Sequence, residues 1–180
     1  MNIEELERLD NTFNQANFIS KTNNMFIKFF TAIMMDNLSE VDHFISDEVY
    51  SYGEGIIAPL REHNYKKMFD ELNVKSNQIK SIEKINNEFV ITTLIQSRYL
   101  DYIYDSNNGT VVSGDDNNRV QINYLLTFTK KDNATNQGIA KKCDSCGSPM
   151  NINNTGICEY CGSIYKQEKH DWVLTNISPQ

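Results

Sequence analysis

The sequence predicts an α+β protein in which N-terminal helices pack on a curved antiparallel sheet that carries a small insertion. Apolar residues recur with a helical period before residue 76 and alternate with a strand period after it, and four cysteines cluster late in the chain. A chain of 180 residues is long enough for one domain with a core and a small additional module.

The chain opens with two amphipathic segments, over residues 1–17 and 18–35. The apolar residues at helical spacing are Ile3, Leu6, Leu9 and Phe13 in the first, and Phe18, Met25, Phe26, Phe29, Phe30 and Ile33 in the second. We expect two helices or one long bent helix. The first stripe suits packing on its own domain as well as binding to a partner.

The next forty residues predict two further helices. Ser39 and Asp42 bound a capping-box pattern, which would start a short helix. Gly53 and Gly55 predict a turn. Pro59 suits the first turn of another helix, because its missing N–H costs nothing there. The buried stripe of that helix would comprise Leu60, Tyr65, Met68, Phe69 and Leu72.

The second half of the domain predicts strands. Residues 77–85 and 88–104 form two strands joined through Asn86 and Asn87, and residues 105–118 form a polar hairpin loop. Residues 119–129 alternate as a half-buried strand, and residues 130–138 form a linker. A last strand contains Trp172 and Leu174 on one side and Val173 and Thr175 on the other, with Trp172 as a core residue; we expect it to pair with 119–129. The cysteine-containing segment would then be an insertion within a β-hairpin.

The four cysteines form two Cys-x-x-Cys pairs, each followed by a glycine: Cys143, Cys146 and Gly147, then Cys158, Cys161 and Gly162. Two such knuckles supply the four thiolates of a structural zinc site, and the glycines would let N–H groups approach the sulfurs without a Cβ clash. Iron fits the same spacing but is less common, and disulfides would need an oxidising compartment. The sequence therefore predicts one structural Zn²⁺ with no open position for a substrate.

These patterns predict three parts. Residues 1–17 are the N-terminal amphipathic helix, residues 18–138 and 170–180 are the α+β domain, and residues 139–169 are the zinc-ribbon insertion. A small insertion of this kind needs the metal to fold, because it is too short for a core of its own.

Charge and hydropathy exclude some classes of function. The net charge is −7, and residues 1–60 hold ten acidic against three basic side chains. Nucleic-acid binding would need a basic surface, so we expect no nucleic-acid partner. The N-terminus lacks the basic and apolar pattern of a secretory signal, and residues 26–35 fall short of the roughly 20 apolar residues that span a bilayer. We expect a cytoplasmic protein, with peripheral membrane association left open and the oligomeric state undetermined.

The order of these elements resembles a known family. The helix at 18–35, the short helix ending at residues 43–46, the helix at Pro59 and a late zinc ribbon followed by residues 170–174 together resemble the bacterial translocase-of-inner-membrane-subunit-forty-four-like domain, of the nuclear transport factor two-like superfamily. The resemblance implies a cone-shaped fold and a non-enzymatic binding or scaffold role in protein transport at a membrane surface. Only the four cysteines carry over, as metal ligands.

The charges of the opening helices favour a protein partner over direct contact with lipid. These helices carry the acidic residues Glu4, Glu5, Glu7, Asp10 and Asp36. Anionic head groups would repel such a surface. We therefore expect contact with a protein through these helices.

An enzyme or a receptor for a small apolar ligand is the alternative. Isomerases of this fold class use an Asp base and a Tyr donor in an apolar pocket. The side chains of those types are Tyr50, Tyr52, Tyr99, Tyr102, Tyr124 and Asp101. Tyrosine is also common in strands, and alternation could equally point Asp101 to solvent. We expect no catalytic residue, and we expect His43, His63 and His170, which lie in separate elements, to be ordinary surface or helix-end histidines.

Overall fold

The computed structural model describes residues 1–132, 143, 145–148, 158, 160–163 and 171–180. Its helices are α1 (Ile3–Leu9), α2 (Gln15–Met34) and α3 (Asp47–Arg61), and two 3-10 turns, Leu38–Glu40 and Asp42–Phe44, connect α2 to α3. The strands are β1 (Tyr65–Ile85), β2 (Glu88–Asp105), β3 (Val111–Lys131) and β4 (Val173–Pro179). They form one antiparallel sheet in the order β1-β2-β3-β4. The predicted α+β class is confirmed.

Separate caps make α1 and α2 two helices and not one bent helix. Asn2 and Glu5 form a capping box, in which each backbone N–H donates to the other side chain at 2.8–2.9 Å. Asn14 caps α2 by accepting from the backbone N–H of Asn17 at 3.0 Å. Each cap satisfies N–H groups that the first turn of a helix leaves without partners, so the chain restarts at Asn14.

The core lies between α2 and the sheet. Phe26, Phe29 and Phe30 of α2 are buried. The Phe30 ring packs on Phe69 of β1 at a centroid distance of 4.7 Å and on Tyr124 of β3 at 5.3 Å. Rings at these distances and steep angles have the edge-to-face geometry that aromatic pairs prefer.

The N-terminal stripe packs on its own domain. Leu6 is fully buried and Phe13 is nearly so, and both belong to the same core as α2. The N-terminal amine donates to the carbonyl of Ile82 in β1 at 3.2 Å. Leu9 is 51% exposed, so only the end of the stripe faces solvent.

The predictions for residues 39–61 are wrong in detail. Gly53, Gly55 and Pro59 all lie inside α3, so there is no turn at the glycines and no helix start at the proline. Gly53 occupies a helical position because Leu38 packs against it: an added Cβ would lie 2.8 Å from the leucine Cδ1. Pro59 lies in the last turn of α3, where a lost N–H interrupts little of the helix.

The predicted capping box at residues 39–42 does not form. The Ser39 hydroxyl donates to the Asn37 side chain at 2.6 Å, and neither 3-10 turn has a side-chain cap. The chain takes two short turns here in place of the predicted short helix. Their buried residues Leu38 and Phe44 belong to the same core.

Strand β1 begins at Tyr65, twelve residues before the predicted start at residue 77. Its pairing with β2 shifts register at three places, between Asp70 and Asn73, Val74 and Ser76, and Ile79 and Ser81. A bulge inserts an extra residue and resets the alternation of faces. The apolar residues Tyr65, Met68, Phe69 and Leu72 have helical spacing although they belong to a strand.

Strand β3 matches the alternation predicted for 119–129, with Tyr124, Leu126 and Phe128 buried. The predicted loop over 105–118 is shorter, because β3 already starts at Val111. Its pairing with β2 jumps from Arg119 to Asp115, so residues 116–118 bulge out of the ladder. Their Asp-Asn-Asn sequence disfavours strands, which explains the prediction of a longer loop.

Strand β4 pairs with β3 as predicted, from Val173 opposite Thr129 to Pro179 opposite Tyr124. Trp172 is buried, with its ring 5.0 Å from that of Phe18. The cysteine-containing segment thus lies between two neighbouring strands. The predicted linker beyond residue 132 lies outside the described residues.

Candidate metal centre

Each cysteine pair closes a tight turn of the same design. Gly147 N–H donates to the Cys143 carbonyl at 2.8 Å, and Gly162 N–H donates to the Cys158 carbonyl at 2.9 Å. The first cysteine of each pair donates its own N–H to the carbonyl of the serine after the glycine, Ser148 or Ser163, at 2.8 and 2.9 Å. The two knuckles therefore share one backbone pattern.

The glycines are required by conformation and not by space. Gly147 and Gly162 have φ of 72° and 71°. Among the described residues other than its chain neighbours, an added Cβ would meet nothing within 4 Å at either position. The predicted reason, a Cβ clash near the sulfurs, is therefore wrong: glycine is present because L-residues rarely adopt this left-handed backbone.

The four cysteine sulfurs form one cluster, all within 4.8 Å of one another. Between the knuckles, Cys143 Sγ lies 3.6 Å from Cys161 Sγ, and Cys146 Sγ lies 3.8 Å from Cys158 Sγ. A disulfide would need about 2.05 Å. Tetrahedral Zn²⁺ with Zn–S bonds of about 2.3 Å would separate its sulfurs by about 3.8 Å. The cluster therefore fits a four-coordinate metal ion.

Two serine hydroxyls contact these sulfurs, which the reasoning from sequence missed. Ser148 Oγ lies 3.0 Å from Cys146 Sγ. Ser163 Oγ lies 3.0 Å from Cys161 Sγ and 3.2 Å from Cys143 Sγ. The Ser163 hydrogen bond lowers the pKa of Cys143 to about 6 and also lowers the pKa of Cys161. Lower pKa values favour the thiolates of Cys143 and Cys161, the form that binds metal. Backbone hydrogen bonds from Cys161 and Tyr160 lower the pKa of Cys158, but burial and the thiols of Cys143 and Cys161 raise it overall. The repeat Cys-x-x-Cys-Gly-Ser was the signal available in the sequence.

Ion pairs fix the chain on both sides of the cysteine-containing segment. Lys130 Nζ lies 2.6 Å from Asp10 Oδ2 before the segment, and Asp171 pairs with Lys21 of α2 after it. Lys84 of β1 adds a third pair with Asp132 at 2.5 Å. The segment therefore leaves the sheet from two anchored positions.

The side chains of the alternative isomerase site are placed differently from what catalysis needs. The hydroxyls of Tyr99 and Tyr124 are buried and 2.7 Å apart, bonded to each other. Burial raises the pKa of both. Asp101, which interacts electrostatically with both tyrosines, pairs its carboxylate with Lys67. The hydroxyl of Tyr102 donates to Asp70 of β1, and this bond raises the tyrosine pKa to about 12.

The remaining tyrosines of the predicted set and the described histidines are spread over the fold, although Tyr52 interacts electrostatically with Tyr99 and Tyr124. Tyr50 and Tyr52 lie on α3, and the Tyr52 ring stacks on Phe29. His43 is partly buried, and burial together with Lys28 lowers its pKa. His63 packs beside the Tyr65 ring, and His170 lies outside the described residues. Among the described residues, the cysteines are the one group of three or more metal-ligating side chains close together.

The fold and this cluster define an α+β domain with a group of four cysteines in the sequence between its last two strands. The model of the Tim44-like domain family matches residues 1–139. The chain therefore belongs to the Tim44-like domain family. The match ends before Cys143, so it includes the helices and the first three strands but not the cysteines.

Comparisons with solved structures and with curated proteins give no further information on function. The crystal structure of the intermembrane space region of the chloroplast protein ARC6 aligns over 89% of this chain and 95% of that chain, at 9% identity and a TM-score of 0.41. At that level the similarity says nothing about function. A comparison with curated proteins found no match. Among the described residues, no helix combines the length and the apolar composition that crossing a membrane requires.

Proposed function

We propose that this protein is a non-enzymatic binding module with one structural zinc ion, working with a protein partner in transport at a membrane surface. The observation that carries the proposal is its membership of the Tim44-like family over residues 1–139. That family points to a scaffold associated with membranes and transport. The thiolate cluster adds a metal-stabilised element to the scaffold.

Zinc would be held by Cys143, Cys146, Cys158 and Cys161. The sulfur separations of 3.6 and 3.8 Å across the knuckles support a tetrahedral metal. Four protein ligands leave no position for a substrate, so the metal would be structural. We place it in an insertion over residues 139–169 of an α+β domain that comprises residues 18–138 and 170–180. The N-terminal segment of residues 1–17, which contains α1, completes that domain.

The exposed side of α1 is our candidate for the partner contact. Leu9 is exposed there, and Glu4 and Glu7 are also exposed. Two of the acidic groups expected on this surface are occupied elsewhere: Asp10 pairs with Lys130, and Asp36 pairs with Arg61. An exposed leucine on a helix whose other exposed side chains include Glu4, Glu7 and Arg8 suits a partner segment that offers an apolar contact and a basic side chain.

The isomerase alternative has less support. A general base must offer a carboxylate to the substrate, and Lys67 occupies that of Asp101. The two buried tyrosine hydroxyls, Tyr99 and Tyr124, satisfy each other and do not face a ligand as donors. Both features fit a packed domain better than a catalytic pocket.

Metal analysis tests the first part of the proposal. We expect one zinc per chain in freshly purified protein, and loss of it in Cys143→Ser, because three thiolates no longer complete the site. Ser145→Ala is the matched control: it keeps the backbone N–H that donates to Cys143 Sγ and should keep its zinc. The fluorescence of Trp172, which lies in the domain core, should be the same in both variants. Metal-free wild-type protein, disulfides in fresh samples, or full zinc in Cys143→Ser would refute the assignment.

A pair of surface variants tests the second part. Leu9→Glu adds a charge to the proposed contact. Val112→Glu adds a charge to a residue of β3 with similar exposure, since Val112 is 44% exposed and Leu9 is 51% exposed. We expect Leu9→Glu to reduce the proteins that the tagged full-length chain captures in its own host, measured by quantitative mass spectrometry, and Val112→Glu to leave them unchanged. Equal capture by both variants would contradict the contact through α1.

A further inference from the structure

The two knuckles of the thiolate cluster differ in one respect despite their common backbone. Each has the sequence Cys-x-x-Cys-Gly-Ser, and in each the serine hydroxyl lies 3.0 Å from the second cysteine of its own knuckle. Among the hydrogen bonds of the described residues, the Ser148 hydroxyl contacts only that sulfur. Ser163 also reaches Cys143 of the other knuckle at 3.2 Å.

We propose that Ser163 is a positioning residue for the metal, whose hydroxyl bridges the two knuckles by hydrogen bonding to one thiolate from each. This inference rests on the proposed metal site. It assigns a role to Ser163, which contacts the ligand sulfurs but does not itself bind the ion. The hydroxyl has one proton, which two sulfurs of opposite knuckles share. Ser148 contributes a single local bond by the same chemistry.

The negative charge of the metal site would strengthen the hydrogen bond that the Ser163 hydroxyl donates. Four thiolates on Zn²⁺ carry a formal charge of −2, and O–H donors to ionised acceptors form stronger bonds than neutral pairs. Outer partners of metal ligands typically change metal affinity by about 10- to 100-fold. The Ser163 hydroxyl links Cys143 to Cys161. Its loss therefore affects how the two knuckles enclose the metal as well as the charge on one sulfur.

The test uses the full chain with four sequences: wild type, Ser163→Ala, Ser148→Ala and Ser163→Thr. Alanine keeps the backbone carbonyl that accepts from Cys158 N–H, so the knuckle itself should still fold. Zinc affinity is measured by competition with a chromophoric chelator. The sulfur-to-cobalt charge-transfer bands are recorded after substitution with Co²⁺, because they report the electron density on the thiolates.

We expect Ser163→Ala to bind zinc about 10-fold or more weakly and to shift the charge-transfer bands to longer wavelength, because thiolates without a hydrogen bond donate electrons more readily. Ser163→Thr, which keeps the hydroxyl, should restore both readouts. Ser148→Ala should lose less affinity than Ser163→Ala.

Two results overturn the inference while leaving the metal site in place. One is wild-type affinity and spectrum in Ser163→Ala, and the other is an equal loss in Ser148→Ala, which would mean that bridging has no effect. Wild-type protein that binds neither zinc nor cobalt would instead refute the proposed metal site, and the inference with it.

Discussion

Lys130 and Asp10 form a buried ion pair that joins the end of β3 to the end of α1. Their side chains are 8% and 1% exposed, and the ammonium nitrogen lies 2.6 Å from the carboxylate. Lys130 also donates to the Thr12 hydroxyl at 2.8 Å, while Asp10 accepts from the Thr12 N–H and hydroxyl. The pair therefore ties the N-terminal helix to the strand that leads into the cysteine-containing segment.

Removing one partner of this pair should destabilise the domain strongly. In Lys130→Met the Asp10 carboxylate stays buried without its cation, so we expect the free energy of unfolding to fall by about 3 kcal/mol or more in urea titrations. In the double variant Asp10→Asn/Lys130→Met, an amide can still accept from Thr12, and we expect recovery of most of the loss. Lys84→Met is the control: its partner Asp132 is partly exposed, so the cost should stay below about 1 kcal/mol. Equal losses in Lys130→Met and Lys84→Met would contradict the importance of burial.

The same pair predicts a pH dependence. Burial by itself raises the pKa of Asp10, but the hydrogen bonds from Lys130 and Thr12 and the charge of Lys130 outweigh it, so the pKa is lowered in the folded protein. The unfolded chain then binds more protons than the folded one below the ordinary Asp value of about 3.9. The contribution of Asp10 to the stability of the fold is therefore complete above its ordinary pKa. It is lost as the pH falls through the lower pKa of Asp10 in the folded protein.

Urea titrations at several pH values measure this effect. We expect the stability difference between wild type and Asp10→Asn/Lys130→Met to be constant above about pH 5 and to change in the direction of a less stable wild type below about pH 4. Acid also releases any bound metal, but this affects both proteins and cancels in the difference. A difference that does not change with pH would mean that Asp10 has an ordinary pKa.

The helical and strand periods predicted the larger elements well, and local exceptions caused the errors. The Phe-rich stripe of α2 and the alternation of Tyr124, Leu126 and Phe128 were visible because each segment buries one continuous face. Strand β1 was missed at its start, where register shifts between Asp70 and Asn73 and between Val74 and Ser76 interrupt the alternation. Gly53 was predicted to lie in a turn. The packing of Leu38 that makes glycine necessary inside α3 is a tertiary contact, so the local sequence does not reveal it.

The candidate site was likewise predictable from the sequence only in part. The ligands were readable because cysteine spacing is fixed by the local turn and the metal geometry. The role of Ser163 was not, because its second contact is with Cys143, twenty positions away in sequence, and depends on how the knuckles face each other. The Lys130 and Asp10 pair was missed for the same reason, since its members are 120 residues apart.

Gly114 and Gly109 offer a matched pair for testing the β2–β3 hairpin. Both have positive φ, 82° and 72°, but a Cβ at Gly114 would lie 2.2 Å from the Asp101 carbonyl oxygen, whereas Gly109 has open space. We expect Gly109→Ala to cost about 1–2 kcal/mol from conformation alone. Gly114→Ala should cost about 3 kcal/mol or more, or detach the hairpin end locally, because backbone must move. Faster amide hydrogen exchange around Tyr102, which pairs with Gly114, would reveal local detachment. Equal stability and equal exchange in the two variants would contradict the close approach.

The hydroxyl pair of Tyr99 and Tyr124 provides the last prediction. Each hydroxyl is buried and bonded to the other at 2.7 Å, so Tyr124→Phe leaves a polar group in the core without this partner. We expect each single Tyr→Phe variant to lose about 1–3 kcal/mol of unfolding free energy, and the double variant to be more stable than the sum of the two losses predicts, because it leaves no orphaned hydroxyl.

Tyr102→Phe serves as the control for this cycle. Its hydroxyl bonds to Asp70 at a partly exposed position, so water can replace the partner and the loss should be smaller. The cycle is measured by urea unfolding at neutral pH. All these tyrosines are protonated there, because the ordinary tyrosine pKa is about 10 and burial or Asp70 raises it further. Strictly additive losses at Tyr99 and Tyr124 would mean that the hydroxyls do not depend on each other, and would reopen the possibility that one of them serves a ligand.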